Sequence, residues 1–135
     1  MIIEEALKAY AEDDGPTAAL VGTRIHPIRA PQGTARPFAA YRCNGDSTEQ
    51  SDAIGEGGDL HEWRGEYECR GETYTSAKAL ASALRGAFHG YSEADGAMSG
   101  VDVQCIWCGE TTDMPFDQDT KTYGVLMPLT VWYRA

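Results

Sequence analysis

Ile3, Ala6, Leu7 and Tyr10 recur at spacings of three and four, which predicts an amphipathic helix over residues 2–12, ended by the turn-forming run Asp13-Asp14-Gly15. Pro16 opens a second short helical turn through Thr17–Val21, and Gly22 closes it at a position that favours a residue free to take positive φ. Between Ile25 and Pro37, three prolines (Pro27, Pro31 and Pro37) leave room only for edge strand or an extended connector. Phe38–Cys43 reads as a buried strand. Residues 44–60 are polar and Gly-rich around an isolated Ile54, and read as a long loop, either a functional arm or a mobile hairpin.

From His61 to Arg70 the alternation is clean: Trp63, Gly65, Tyr67 and Cys69 share one face, and Glu62, Arg64, Glu66, Glu68 and Arg70 the other. Thr75–Tyr91 then places Ala77, Leu80, Ala81, Leu84, Phe88 and Tyr91 on one stripe, the pattern of a central helix capped by Thr75 or Ser76 and stopped near Gly90. Val101–Trp107 returns to strand, with Val101, Val103, Cys105 and Trp107 on one face. Residues 109–121 are acidic and polar and predict a turn or short hairpin. Thr122–Tyr133 is the last and most apolar strand, in which Pro128 implies an edge position or a bulge. There is no internal repeat. The expected fold is α+β: one domain over 1–135, with a mainly antiparallel sheet and the N-terminal and central helices packed on one of its faces.

Composition narrows the function. The 135 residues hold 21 Asp plus Glu against 11 Lys plus Arg, a formal charge of −10. A surface this acidic repels phosphates, which argues against a basic nucleic-acid-binding module. No apolar run approaches the roughly 18 to 20 residues of a spanning helix, and the start MIIEEALK has no signal-peptide pattern. The expectation is a soluble protein made in a cytoplasm, with Cys43, Cys69, Cys105 and Cys108 as reduced thiols.

Motif chemistry is sparse. Cys105-Ile106-Trp107-Cys108 has the C-x-x-C spacing of redox and zinc sites, but it continues a strand pattern that points the two thiols to opposite faces. Cys43 and Cys69 offer no close second ligand pair, so small buried hydrophobes are the expected role of all four cysteines. His26, His61 and His89 are scattered, and Gly55-Glu56-Gly57-Gly58 lacks the lysine and the following helix of a phosphate loop. No catalytic residue, cofactor or metal is expected.

Charge layout is more informative. Residues 15–45 hold Arg24, Arg29, Arg36 and Arg42 and no acid, whereas residues 46–72 hold nine acids against Arg64 and Arg70. Complementary patches of this kind register association between copies. The same charges could instead pair within one chain, and the sequence leaves both readings open.

The segment Ala19-Leu20-Val21-Gly22 with Arg24-Ile25 and Pro27, then Ala30-Pro31-Gln32-Gly33 and Pro37-Phe38 with Tyr41, resembles the small tail-completion, or tail terminator, proteins of long-tailed phages. Glu72-Thr73-Tyr74 leading into Ala77, Leu80, Leu84, Arg85 and Gly90, and the final Val131-Trp132-Tyr133-Arg134, continue the resemblance in order over nearly the whole chain. Trp63 and Cys69, where smaller branched residues are expected, Pro128, and the 44–60 stretch depart from it.

The resemblance implies a virion structural protein: a homo-oligomeric ring, commonly a hexamer, at the head-proximal end of the tail tube. Such a ring stops tube polymerisation and joins tail to head. The implied partners are further copies of the chain, the major tail tube protein and a head-closure or connector protein, with DNA passing through the lumen unbound. The nearest rival is a head-closure or stopper protein of the neck, and the rival from another class is a redox or metal protein built on Cys105 and Cys108. Candidate subunit-interface residues are Arg24, Arg29, Arg36, Arg42, Ile54, Glu62, Arg64, Glu66 and Glu68.

Overall fold

The computed structural model describes residues 2–49 and 60–134. Helices α1 (Ile3–Asp13) and α2 (Gly15–Val21) meet at Asp14, which serves both. Its backbone N–H donates to the Tyr10 and Ala11 carbonyls, closing α1. Its carboxylate accepts from the Thr17 amide at 3.2 Å and the Thr17 hydroxyl at 2.7 Å, capping α2. Gly22 ends α2 at φ 57°, as its position predicted. Helix α3 (Tyr74–Phe88) starts two or three residues before the position that a Thr75 or Ser76 cap implied, and it ends at Phe88, short of Tyr91. Thr73, not Thr75 or Ser76, is therefore the N-cap: it is extended, and its hydroxyl accepts from the Ser76 amide at 3.1 Å.

The strands are β1 (Ile25–Pro27), β2 (Phe38–Glu49), β3 (Leu60–Gly71), β4 (Asp102–Cys108), β5 (Thr112–Asp117) and β6 (Thr122–Arg134), with a 3-10 turn at Glu93–Asp95. They form one sheet in the order β1-β2-β3-β6-β4, and β5 also pairs with β6. Only β1–β2 is parallel. The α+β class and the largely antiparallel sheet are as expected. Three expectations are corrected.

First, β2 runs on to Glu49, so residues 44–49 are strand and not loop, which favours the hairpin alternative over the arm: they pair with β3 through Glu49↔Leu60 after a bulge between Cys43 and Gly45. Residues 50–59, with Ile54, lie outside the described residues. Second, β6 is no edge strand: β3 pairs with it on one side and β4 then β5 on the other. Pro128 fits because the last β4 pair is Cys108↔Leu129 and the first β5 pair is Thr112↔Leu126. Its missing N–H falls where one partner strand hands over to the next, and its carbonyl accepts from the Gly109 amide at 2.8 Å. Third, β4 shifts register between Val103 and Cys105. Val103, Ile106 and Cys108 are buried, and Cys105 and Trp107 turn outward, because one extra residue reverses the alternation beyond it.

One face of the sheet carries the core. Ile3 and Leu7 of α1 and Leu80, Leu84 and Phe88 of α3 lie with Trp63, Tyr67, Val125, Met127 and Val131 in one buried cluster. Each large apolar side chain taken out of water there stabilises by about 1.5–3 kcal/mol. Trp63 is wholly buried and is held by an indole N–H donated to the Glu4 carboxylate at 3.1 Å, which ties α1 to β3. Of the described residues, Glu62, Arg64, Glu66 and Glu68 of β3 point to the opposite face and stand outside that cluster.

Candidate assembly interface

The proline-rich segment between β1 and β2 is ordered by side chains that reach away from it. Arg24 donates through Nε to the Pro37 carbonyl and through Nη2 to the Leu20 carbonyl, each at 3.0 Å, so it clasps α2 to the start of β2. At Ile28 the chain makes a γ-turn, with the Arg29 amide donating to the Pro27 carbonyl at 2.6 Å and Ile28 held at φ 64°. Positive φ is sterically costly for a β-branched residue, yet Ile28 is 69% exposed. Its amide also donates to the Tyr41 carbonyl at 2.7 Å, which locks the turn to β2.

Arg36 crosses to the β5–β6 turn, donating to the Thr120 carbonyl, with Glu72 4.0 Å away. The connector and that turn thereby enclose a cleft of about 1020 Å³ at one end of that opposite face. Arg70 forms part of its lining. Only 8% exposed, it donates to Glu68 at 2.7 Å and to the Pro115 carbonyl at 3.2 Å. Its guanidinium lies against Gly124, where a Cβ would come within 2.6 Å of it.

Along the same face β2, β3 and β6 set their outward side chains in rows. Glu62 pairs with Arg64 at 2.7 Å, Glu66 with Arg42, and Glu68 with Arg70. The strand face thus gathers Glu62, Arg64, Glu66 and Glu68 as its alternation predicted, and the acids are matched by arginines of the same chain. At the β4 side the face becomes apolar: Trp107 is 59% exposed, beside an exposed Cys105, with the His89 ring set edge-on 5.0 Å away.

Of the candidate interface residues, Arg24 acts within the chain, Arg36 and Arg42 are held by internal partners, and Arg29 has no partner among the described residues. Ile54 lies outside the described residues. Sequence reasoning missed Ile28, Arg70 and the β5–β6 turn. No local pattern marks them, because the cleft joins segments far apart in the chain, as Arg36 and Thr120 are, 84 positions from each other.

The cysteines divide. Cys69 and Cys108 are buried, whereas Cys43 and Cys105 are exposed, against the expectation of four buried hydrophobes. Burial pushes the Cys108 thiol up to about 11, partly offset by Arg85, and also raises Cys105. A redox nucleophile needs the opposite shift. Cys105 and Cys108 face opposite sides of the sheet, and among the described residues no group of three or more His, Cys, Asp or Glu is placed to hold a metal ion. No helix among them is long and apolar enough to cross a membrane.

The fold is shared with a chain of a virion particle. Among solved structures, the chain matches one from the virion of a native gene transfer agent (GTA) particle with a TM-score of 0.67 and 19% identity, over 98% of this chain and 95% of the other. No protein-family model matches the sequence. No curated protein matches it either.

Proposed function

We propose that this chain is a virion structural protein that forms a ring, commonly a hexamer, on the head-proximal end of a tail tube, ending tube growth and joining the tail to the head. The observation that carries the reading is the fold shared end to end with a chain of a virion particle. The sequence resemblance to tail terminators points to the same place. A charged sheet face and a cleft on one side of the molecule suit a subunit that packs against neighbours. The partners in this reading are further copies of the chain, the tail tube protein and a head-closure or connector protein.

Six copies at −10 each would sum to roughly −60, and acidic side chains lining the bore would let DNA slide past without sticking. A reconstruction of the neck that showed a basic or neutral lumen would refute that part of the reading. For the role itself, the gene is deleted and the tails are measured by electron microscopy. Overlong, headless tubes are expected; tubes of normal length without heads would indicate a head-closure protein instead, and normal joined particles would remove the chain from the junction.

A further inference from the structure

The outward face of the sheet is charged along one strand and apolar along the next. On β6 the outward residues are Leu126, Pro128, Thr130 and Trp132, and on β4 Cys105 and Trp107 stand beside Trp132 and Thr130. None of the six is buried, and the Trp107 indole is 59% exposed. On the other side of β6, the Glu62, Arg64, Glu66 and Glu68 row of β3 lies opposite Trp132, Thr130, Pro128 and Leu126. From the strand spacing and the 12 residues of β3, the face across β2, β3, β6 and β4 measures roughly 19 by 40 Å. That is roughly 750 Å², close to the ~800 Å² that each partner contributes to a stable interface of standard size.

Two adjacent rows across this face complement each other. In the first stand Arg64, Thr130 and Trp107; in the second, two residues along each strand, stand Glu66, Pro128 and Gly109. Arg64 is a cation with 69% of its side chain exposed, and Glu66 is an anion. Trp107 is a projecting ring, whereas Gly109 has no side chain: its amide donates to the Pro128 carbonyl, and a Cβ there would come within 3.0 Å of the Pro128 Cγ.

Consider a two-fold axis in the plane of the contact, running across the strands and between these rows. It lays Arg64 of each copy on Glu66 of the other, each Trp107 indole on the other's Gly109 and Pro128, and, one row further out, Trp132 on Leu126. Glu62 and Glu68 then face each other, each already bound to an arginine of its own chain. An axis through the first row would oppose Arg64 to Arg64, and one through the second Glu66 to Glu66, like charges in both cases. An axis between Glu62 and Arg64 keeps opposite charges together but sits near the end of the sheet and covers much less of it. The face is therefore complementary to itself in one central register, as an isologous contact requires.

We infer that this face packs sheet on sheet against the same face of a second copy, so that the free chain is a two-fold dimer. The inference goes beyond the ring reading, because a two-fold contact closes at two copies and is distinct from the head-to-tail contact of a ring. Sedimentation velocity of the parent chain at micromolar concentration is expected to show the dimer. Trp107→Thr keeps a strand-forming residue at an exposed position and is expected to weaken dimerisation more than about tenfold. Arg64→Glu and Glu66→Arg are each expected to do the same. Their equimolar mixture is expected to form a heterodimer, because both contacts then join a cation to an anion again.

Circular dichroism and thermal melts check that each variant folds. Trp107→Thr lies outside the core and carries the test alone if a charge variant does not fold. A monomeric parent chain, a dimer that Trp107→Thr leaves intact, or a mixture of folded charge variants that stays monomeric would each overturn the inference. A parent chain that forms only larger species, unchanged in the three variants, would place self-association on another surface and overturn it as well. None of these results depends on tube length, so the ring reading is tested separately.

Discussion

Gly65→Ala adds one methyl group to the middle of β3, and the structure says where it must go. A Cβ at this position would lie 2.2 Å from Cη2 and 2.7 Å from Cζ2 of Trp63, and 2.5 Å from the Arg42 carbonyl oxygen. Neither neighbour yields cheaply. The indole is completely buried and tethered to Glu4, and the carbonyl belongs to β2 beside the bulge. Overpacking of a rigid site costs about 1–3 kcal/mol, and two obstacles place this case near about 3. With an unfolding entropy of roughly 2.1 cal/mol/K per residue over the chain, that loss lowers Tm by roughly 10 °C.

Trp63→Leu removes one obstacle and leaves the other. A double-mutant cycle should therefore show coupling of more than about 1 kcal/mol between positions 63 and 65, with a residual cost for Gly65→Ala even in the leucine background. Thermal melts and urea titrations of the four proteins provide the measurement. A Gly65→Ala protein that melts within about 1 °C of the parent would show that the tryptophan does not lie over the glycine, and the account of why a tryptophan fits this strand would be wrong.

Other consequences are simpler to read. Asp14→Ala removes the carboxylate that caps α2 and should cost about 1 kcal/mol in urea unfolding, whereas Asp14→Asn should keep most of it. Arg24→Lys loses the fork that reaches two carbonyls at once and should cost about 1.5 kcal/mol; an unchanged midpoint would mean that the clasp does not hold. Native alkylation near pH 8, read by mass spectrometry, should label Cys43 and Cys105 and spare Cys69 and Cys108 until the chain is unfolded. The Cys108 thiol is raised from 9.0 to about 11 in the folded state. The folded chain thus holds this proton where the unfolded chain releases it, and the associated stability, complete below pH 9, should be lost as pH rises towards 11. Cys108→Ala should make that part of the pH profile shallower without levelling it, because burial raises the Cys69 thiol further still.

The helices and most strands were legible because their signals are local. A stripe at three and four positions defines α1 and α3 whatever they touch, and the alternation from Trp63 to Cys69 separates a core face from a charged one before any partner strand is known. The outward acids of β3 and their arginines were also legible as a face, although not as pairs. What could not be read locally is which segments become neighbours. Pro128 looks like an edge residue along the chain and is in fact central, since two short strands share one side of β6 and leave a gap opposite the ring. The Gln104 bulge turns Trp107 outward for a reason that lies in the pairing with β6.

The cleft shows the same division. Sequence alone determined that the connector is extended, arginine-bearing and free of acids, because proline geometry and side-chain charge are properties of the residues themselves. Tertiary structure decided which of those arginines are spent: Arg24 on backbone carbonyls, Arg36 on a turn 84 positions away, Arg42 on Glu66, and Arg29 on nothing among the described residues. A charge has a sign in any conformation, but whether it is neutralised depends on what folding brings within a few ångströms of it.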